Sequence, residues 1–284
     1  MLSLQLLEAQ ALAALAAYPA GERKAIARLA LESFLPVTQT DVLLDKSIAL
    51  SPEQMERWLD IVQRLKSGEP VQYILGRVEF AGLSLEVNHH TLIPRPETEG
   101  LIDWAWETAC GQLTRILDAG TGSGCIALAL QKRLPLATVT AWDISPDTLE
   151  VAMRNATSNG CHVEFQLRDM LCEAQKAPDP RTPFDLIVSN PPYIPERERE
   201  TLEPHVLQHE PHAALFVPDY DPLVFYRALA LLGQHLLTPD GSVIVETHRD
   251  YTRNVAELFE LLQYRHIEVR EDCFGVPRMV KAVK

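Results

Sequence analysis

The stretch Ile116-Leu117-Asp118-Ala119-Gly120-Thr121-Gly122-Ser123-Gly124 constrains the fold more than any other. Three glycines at alternate positions stand between an apolar run of strand type and a helical run from Cys125 to Arg133. Glycine adopts backbone conformations closed to other residues, so a strand can enter such a turn and a helix leave it while the backbone approaches a bound group. The alternation continues: strand character over 113–118, helix over 125–133, strand over 137–142, helix over 145–158, then strands over 162–167 and 184–188. Beyond them, 222–237 and 250–262 read as helices and 242–246 as a strand, while 264–270 and 277–283 can pair as an antiparallel hairpin. Such alternation implies right-handed crossovers over a parallel sheet. The expected fold is α/β: a seven-stranded, doubly wound, mostly parallel sheet of Rossmann-like type, with ligands gathered at the C-terminal ends of the strands.

The glycine spacing is Gly-x-Gly-x-Gly, not the Gly-x-Gly-x-x-Gly of dinucleotide folds. The second strand ends in Asp143, 25 residues after Asp118. An acid at that point suits a ribose with both hydroxyls free. Together these features suggest an adenosyl ligand without a pyrophosphate, held by Gly120, Thr121, Gly122, Ser123, Gly124 and Asp143.

A second stretch carries the chemistry. The run 184–188 stops abruptly at Asn190-Pro191-Pro192-Tyr193. Neither proline can donate a ladder hydrogen bond, so the strand must end and leave in a stiff extended turn. The Asn190 side-chain oxygen and the Pro191 carbonyl are both acceptors. Held a few ångströms apart, they could accept both N–H bonds of a planar NH2 group and aim its nitrogen at an electrophile. Pro192 and Tyr193 complete the substrate side, with the Tyr193 ring free to stack on the group carrying that nitrogen. Read alone, Asn-Pro-Pro is a turn-initiating Asn before a rigid loop; the glycine turn upstream favours the chemical reading.

At this point the chain resembles a known family. Asp-x-Gly-x-Gly-x-Gly, the acid ending the next strand and Asn-Pro-Pro-Tyr are similar to class I S-adenosylmethionine (SAM) methyltransferases acting on an amino or amide nitrogen. Pro70-Val71-Gln72-Tyr73-Ile74-Leu75-Gly76, Glu79-Phe80-Ala81-Gly82, Leu92-Ile93-Pro94-Arg95-Pro96-Glu97-Thr98-Glu99, His209-Glu210-Pro211 and Phe225-Tyr226-Arg227 narrow the likeness. They resemble the protein-(glutamine-N5) methyltransferases of peptide chain release factors, the PrmC or HemK family. The resemblance implies SAM as methyl donor, without a metal, and the glutamine of the Gly-Gly-Gln loop of class 1 release factors as acceptor. It also implies that Asp169 accepts from the adenine amino group while Met170 packs on the ring. Arg95, Glu97 and Glu99 would lie beside cofactor or substrate. The family's usual Glu-x-Gly after the fifth strand stands here as Glu246-Thr247-His248.

Composition bounds the alternatives. At 284 residues the chain suits two domains, and no apolar run is long enough to span a membrane. Residues 1–68 read as a helical bundle that is either a stabilising appendage or a docking surface, and the resemblance implies docking of the protein substrate; 69–92 read as a linking hairpin and 93–284 as the methyltransferase domain. The apolar start carries Glu8 and lacks a basic leader, so it reads as a packed helix rather than a signal peptide. Five scattered cysteines, never in Cys-x-x-Cys, argue against a disulfide framework or a zinc site and fit the reducing cytoplasm. Cys125, beside the glycine turn, reads as a packing residue.

Net charge is −13, of which residues 1–75 carry −2, so neither part offers the basic face on which phosphate gripping depends. This disfavours the first rival, an adenine-N6 DNA or RNA methyltransferase, which would use the same acceptor geometry on a flipped base. An intact Asn-Pro-Pro-Tyr argues against the second, a SAM-binding module without catalysis. Residues 178–222 hold ten of the twenty prolines and read as a stiffened loop fit to groove an extended peptide. His205, His209, Glu210 and His212 lie there, but their spacing is not that of a metal motif and Pro204 and Pro211 interrupt them.

Overall fold

A computed structural model describes residues 1–111, 114–176 and 183–284. Leu113, at the start of the first expected strand, and Pro178 and Pro180 of the proline-rich segment lie outside the described residues. The chain forms two units: Met1–Arg77 together with Glu203–His209, and Val78–Leu202 together with Glu210–Lys284.

The first unit is helical, with helices Leu4–Ala14, Ala20–Phe34, Gln39–Leu43, Pro52–Lys66 and Val71–Leu75. Ser51 caps the fourth as its Ser-Pro-x-Gln sequence predicts: its hydroxyl accepts from the Gln54 N–H at 3.2 Å, and the Gln54 side chain accepts from the Ser51 N–H at 2.9 Å. Leu4, Leu7 and Ala11 share one face at helical spacing and pack with Ala27, Leu31, Trp58, Ile61 and Leu65. The Trp58 indole N–H, buried in that core, donates to Gln10 at 2.9 Å. The helix Pro204–His209 also belongs here, with His205 stacked on Tyr18 at 5.6 Å between ring centres.

The linker departs from the expected hairpin in its first part. Residues Val71–Leu75 make a helical turn between Pro70 and Gly76, whose φ of 71° is the left-handed stop that glycine permits. Five residues of alternating pattern are too few to separate a turn of helix from a strand, and the flanking Pro and Gly decide it. The hairpin itself is short, Arg77–Phe80 against Leu83–Glu86, joined by Ala81 and Gly82 with φ of 50° and 77°. Positive φ at both positions is what a two-residue hairpin turn matching strand twist requires.

The second unit runs α1 (Glu97–Ala109), β1 (Arg115–Ala119), α2 (Cys125–Arg133), β2 (Thr138–Asp143), α3 (Pro146–Asn159), β3 (Val163–Leu167), β4 (Phe184–Ser189), α4 (Val224–Leu236), β5 (Leu237–Glu246), α5 (Thr252–Leu261), β6 (Arg265–Glu271) and β7 (Pro277–Val283). The sheet order is β6-β7-β5-β4-β1-β2-β3. Strands β1 to β5 are parallel, and β7 is antiparallel to both β5 and β6, so the expected seven-stranded, mostly parallel sheet is present.

Successive strand residues serve opposite faces, as the pleat demands. Ile116, Leu186, Val188 and Ile244 pack with residues of α1, α2 and α3. Leu117, Ile187, Val243 and Val245 pack with residues of α4 and α5. Both faces being covered, these strands read as continuous apolar runs. The chain proceeds from β1 outward to β3, then returns to β4 on the other side of β1. The strand order therefore reverses between β1 and β4, the place where open α/β sheets bind ligands. The Ser189 hydroxyl donates to the Ala119 carbonyl and ties these two strand ends together.

The segment after β4 is not structureless. Ile194–Pro195 pairs in parallel with Phe216–Val217, and short tight helices occupy Glu196–Thr201, about two turns, and His212–Ala214, about one.

Candidate active site

A cavity of about 420 Å³ opens at the C-terminal ends of β1 to β4, within the size range of small-molecule sites. Gly120, Thr121, Gly122 and Ser123 line it after β1, Asp143 at the end of β2, Asp169 and Met170 after β3, and Asn190 and Pro192 after β4. Gly124, Pro191 and Tyr193 are outside this lining. Gly124 caps α2 at φ 86°, where an added Cβ would meet Leu128 at 3.3 Å; Pro191 is buried; and the Tyr193 ring packs against the core on the α4 face.

The glycine turn is held by its neighbours. Gly120 and Thr121 donate their N–H groups to the Trp142 carbonyl at 2.9 and 2.8 Å. Asp143 accepts from the Gly122 N–H and from the Ser145 N–H, each at 3.0 Å. One carboxylate thus pins the turn to the end of β2, and burial pushes its pKa above the usual range. Asp118, fully buried beneath the turn, accepts from the Thr121 hydroxyl at 2.7 Å and from the Ala127 N–H at 3.1 Å. Burial raises it to about 7. The Ser123 hydroxyl lines the cavity, is buried, and has no hydrogen-bond partner among the described residues. A buried polar atom of that kind favours a polar ligand.

Asp169 caps the short helix Met170–Glu173 by accepting from the Leu171 N–H at 2.9 Å, and the Cys172 thiol beside it draws its pKa down. Cys125, the first residue of α2, is pushed up to about 12 by burial, so it is a packed thiol rather than a thiolate.

Asn190 stands at the end of β4 with its amide against α1. Its NH2 donates to the Thr98 hydroxyl at 3.1 Å. That hydroxyl donates to Glu246 at 2.7 Å, and the Tyr193 hydroxyl donates to the other Glu246 oxygen at 3.3 Å. Thr98 and Glu246 are 2% and 1% exposed, so water does not compete for these bonds. Burial lifts Glu246 to about 7, against the opposing pull of the Thr98 hydrogen bond and Arg278.

Of Arg95, Glu97 and Glu99, Arg95 alone lines the cavity, and its guanidinium pairs with buried Glu210. Glu99 instead accepts from the Ala81 N–H at 3.3 Å. The sequence names Thr98 and Glu246 only within family-like motifs and gives neither a site role. A signal existed for Glu246, since Val243-Ile244-Val245-Glu246 repeats the apolar-run-then-acid pattern of β1 and β2. His89, His90 and Thr148 also line the cavity without any sequence signal, and so does Phe225 of the family-like Phe225-Tyr226-Arg227. Among the described residues no group of three or more His, Cys, Asp or Glu side chains is placed to hold a metal ion. Of the histidines in the proline-rich segment, His205 stacks on Tyr18 and His212 packs edge-on against Phe216.

This chain is similar to known proteins over most of its length. Residues 7–76 match the PrmC N-terminal domain and residues 106–213 the methyltransferase small domain. The release factor glutamine methyltransferase of Bacteroides thetaiotaomicron is 42% identical over 265 residues, covering 93% of this chain and 94% of that protein. The protein of the same name from Flavobacterium psychrophilum is 38% identical, covering 88% of each chain. A crystal structure of a methyltransferase from Pyrococcus furiosus, 18% identical, superposes with a TM-score of 0.52 over 82% of this chain and 99% of that one, a likeness of fold.

Proposed function

Since the chain belongs to the release factor glutamine methyltransferase family, we propose that its cavity binds SAM beside Asn190 and that the acceptor is the glutamine of the Gly-Gly-Gln loop of class 1 release factors. The observation that carries this reading is the position of Asn190. It follows β4 at the strand-order reversal and lines the same cavity as the glycine turn and Asp143.

The residues present fit the donor. Gly120 and Gly122, at φ of 80° and 57°, let the turn pass close to a ligand. Asp143 offers its remaining lone pairs to a ribose, the unpartnered Ser123 hydroxyl faces a polar group, and Asp169 with Met170 borders the adenine end. When bound, SAM supplies a methyl group on a positively charged sulfur, open to attack in line.

A carboxamide nitrogen is a poor nucleophile because its lone pair is delocalised into the carbonyl. The Asn190 oxygen and the Pro191 carbonyl accept its two N–H bonds and favour the geometry in which that lone pair is localised and directed at the methyl group. Catalysis then comes from orientation and from acceptors better matched to the reacting nitrogen than to the resting amide. Transfer of that methyl group would leave the C–S electron pair on sulfur and the acceptor nitrogen cationic. That nitrogen then loses one proton to water and leaves a neutral N-methyl amide. Pro192 and Tyr193 keep the turn rigid.

The helical first unit is proposed to dock the protein substrate, and the chain to work in the cytoplasm. No helix among the described residues is long and apolar enough to cross a membrane. A release factor incubated with the protein and SAM is expected to gain about 14 Da, one methylene, on that single glutamine by peptide mass spectrometry. An unmodified glutamine, with methyl transfer to adenine in nucleic acid instead, would refute the assignment.

A further inference from the structure

Asn190 is useful only one way round. Its amide has a donor end and an acceptor end of nearly equal shape, and nothing in the shape of a cavity distinguishes them. With the oxygen toward the substrate it accepts an N–H bond. With the NH2 group there it would oppose the hydrogens it is meant to hold. Some other group must therefore fix the choice.

The hydrogen bonds around Thr98 do so. A threonine hydroxyl carries one proton. Thr98 gives that proton to the Glu246 carboxylate at 2.7 Å, leaving its oxygen only lone pairs to offer Asn190. A lone pair admits the NH2 end and rejects the oxygen, and the NH2 group is the end found there, at 3.1 Å. No donor among the described residues bonds the Asn190 oxygen, which leaves it available to a ligand. The second Glu246 oxygen accepts from Tyr193, three residues beyond Asn190, so one carboxylate holds both ends of the acceptor turn. Thr98 and Glu246 are buried, and a hydrogen bond between buried groups keeps its direction without exchange with solvent.

We propose that Glu246 and Thr98 are positioning residues that set the orientation of the Asn190 amide, with the Thr98 hydroxyl transmitting the polarity of the Glu246 carboxylate. The proposal rests on Asn190 being the acceptor in methyl transfer. The competing role is purely structural: the same hydroxyl and carboxylate would merely fasten α1 to β5.

Substitutions that preserve shape separate the two. Thr98→Val removes the hydroxyl at nearly constant volume. Thr98→Ser keeps it. Glu246→Gln keeps the outline but offers an NH2 group to Thr98, which allows that hydroxyl to turn its proton toward Asn190. With SAM and intact release factor, Thr98→Val and Glu246→Gln are expected to lower kcat by roughly 10²-fold, the scale of a misplaced reacting group. KM for the release factor and Kd for SAM should stay within about threefold of the parent. Thr98→Ser should recover most of the lost turnover.

Equal losses in Thr98→Ser and Thr98→Val, or losses shared by SAM affinity, would assign the pair a fastening role and overturn the proposal. So would parental kcat in both Thr98→Val and Glu246→Gln while Asn190→Ala is inactive, an outcome that leaves the acceptor reading standing. Parental turnover in Asn190→Ala would remove the acceptor reading itself. Should Thr98→Val lower the thermal midpoint, Glu246→Gln and Thr98→Ser decide the matter between them.

Discussion

Glu246 and Asp118 are carboxylates placed where charge is costly, and the cost sets a pH dependence. Burial lifts each to about 7, from ordinary values of 4.5 and 3.8. The groups facing Glu246 are Thr98, Arg278, Glu97 and Tyr193, and those facing Asp118 are Thr121, Ala127 and Asp143; none outweighs burial. In the unfolded chain both acids ionise at lower pH than in the folded one. The folded state is therefore favoured by these groups in full below about pH 4, and that advantage is lost as pH rises through about 7. Urea unfolding at intervals between pH 5 and 8 should show stability falling over this window. Glu246→Gln should flatten the fall by on the order of 3 kcal/mol, the worth of a shift of about two and a half pKa units. A flat profile in the parent protein would contradict the assigned environments.

Elements differ in what they ask of a residue, and two substitutions show it. Gly120 has φ of 80°, and a Cβ there would meet the Met170 side chain at 3.2 Å. Gly120→Ala should cost about 1–2 kcal/mol for the left-handed backbone, and calorimetric titration should find SAM binding weakened roughly tenfold. Ser51→Ala removes a helix cap far along the chain from the cavity residues. It should cost about 1 kcal/mol in denaturant unfolding and leave SAM affinity unchanged. The strand-turn-helix at Gly120, the cap at Ser51 and the abrupt end of β4 are legible because each is written within a few adjacent residues. The helical turn over 71–75 is not, its pattern being too short. Neither is the Thr98–Glu246 bond, which joins residues 148 apart and exists only once α1 lies on β5. The sequence reads Tyr193 as a stacking ring over the substrate, and the structure adds a hydrogen bond from its hydroxyl to Glu246 that only the fold brings about.

At the scale of the whole molecule, charge separates this protein from its nearest chemical rival. An adenine methyltransferase needs the same paired acceptors but must also hold a phosphate backbone, and a chain of net charge −13 is poorly suited to that. Excess duplex DNA or transfer RNA should leave methylation of a release factor unslowed at low salt, where any electrostatic binding would be strongest. Inhibition that vanishes with added salt would reveal a basic groove that the overall charge conceals. The most direct test of the central claim is a single-turnover experiment with Asn190→Ala, SAM and an intact release factor, alongside a SAM titration of the same variant. The predicted result is SAM affinity close to that of the parent with no methyl group on the glutamine; methylation at the parental rate would contradict it.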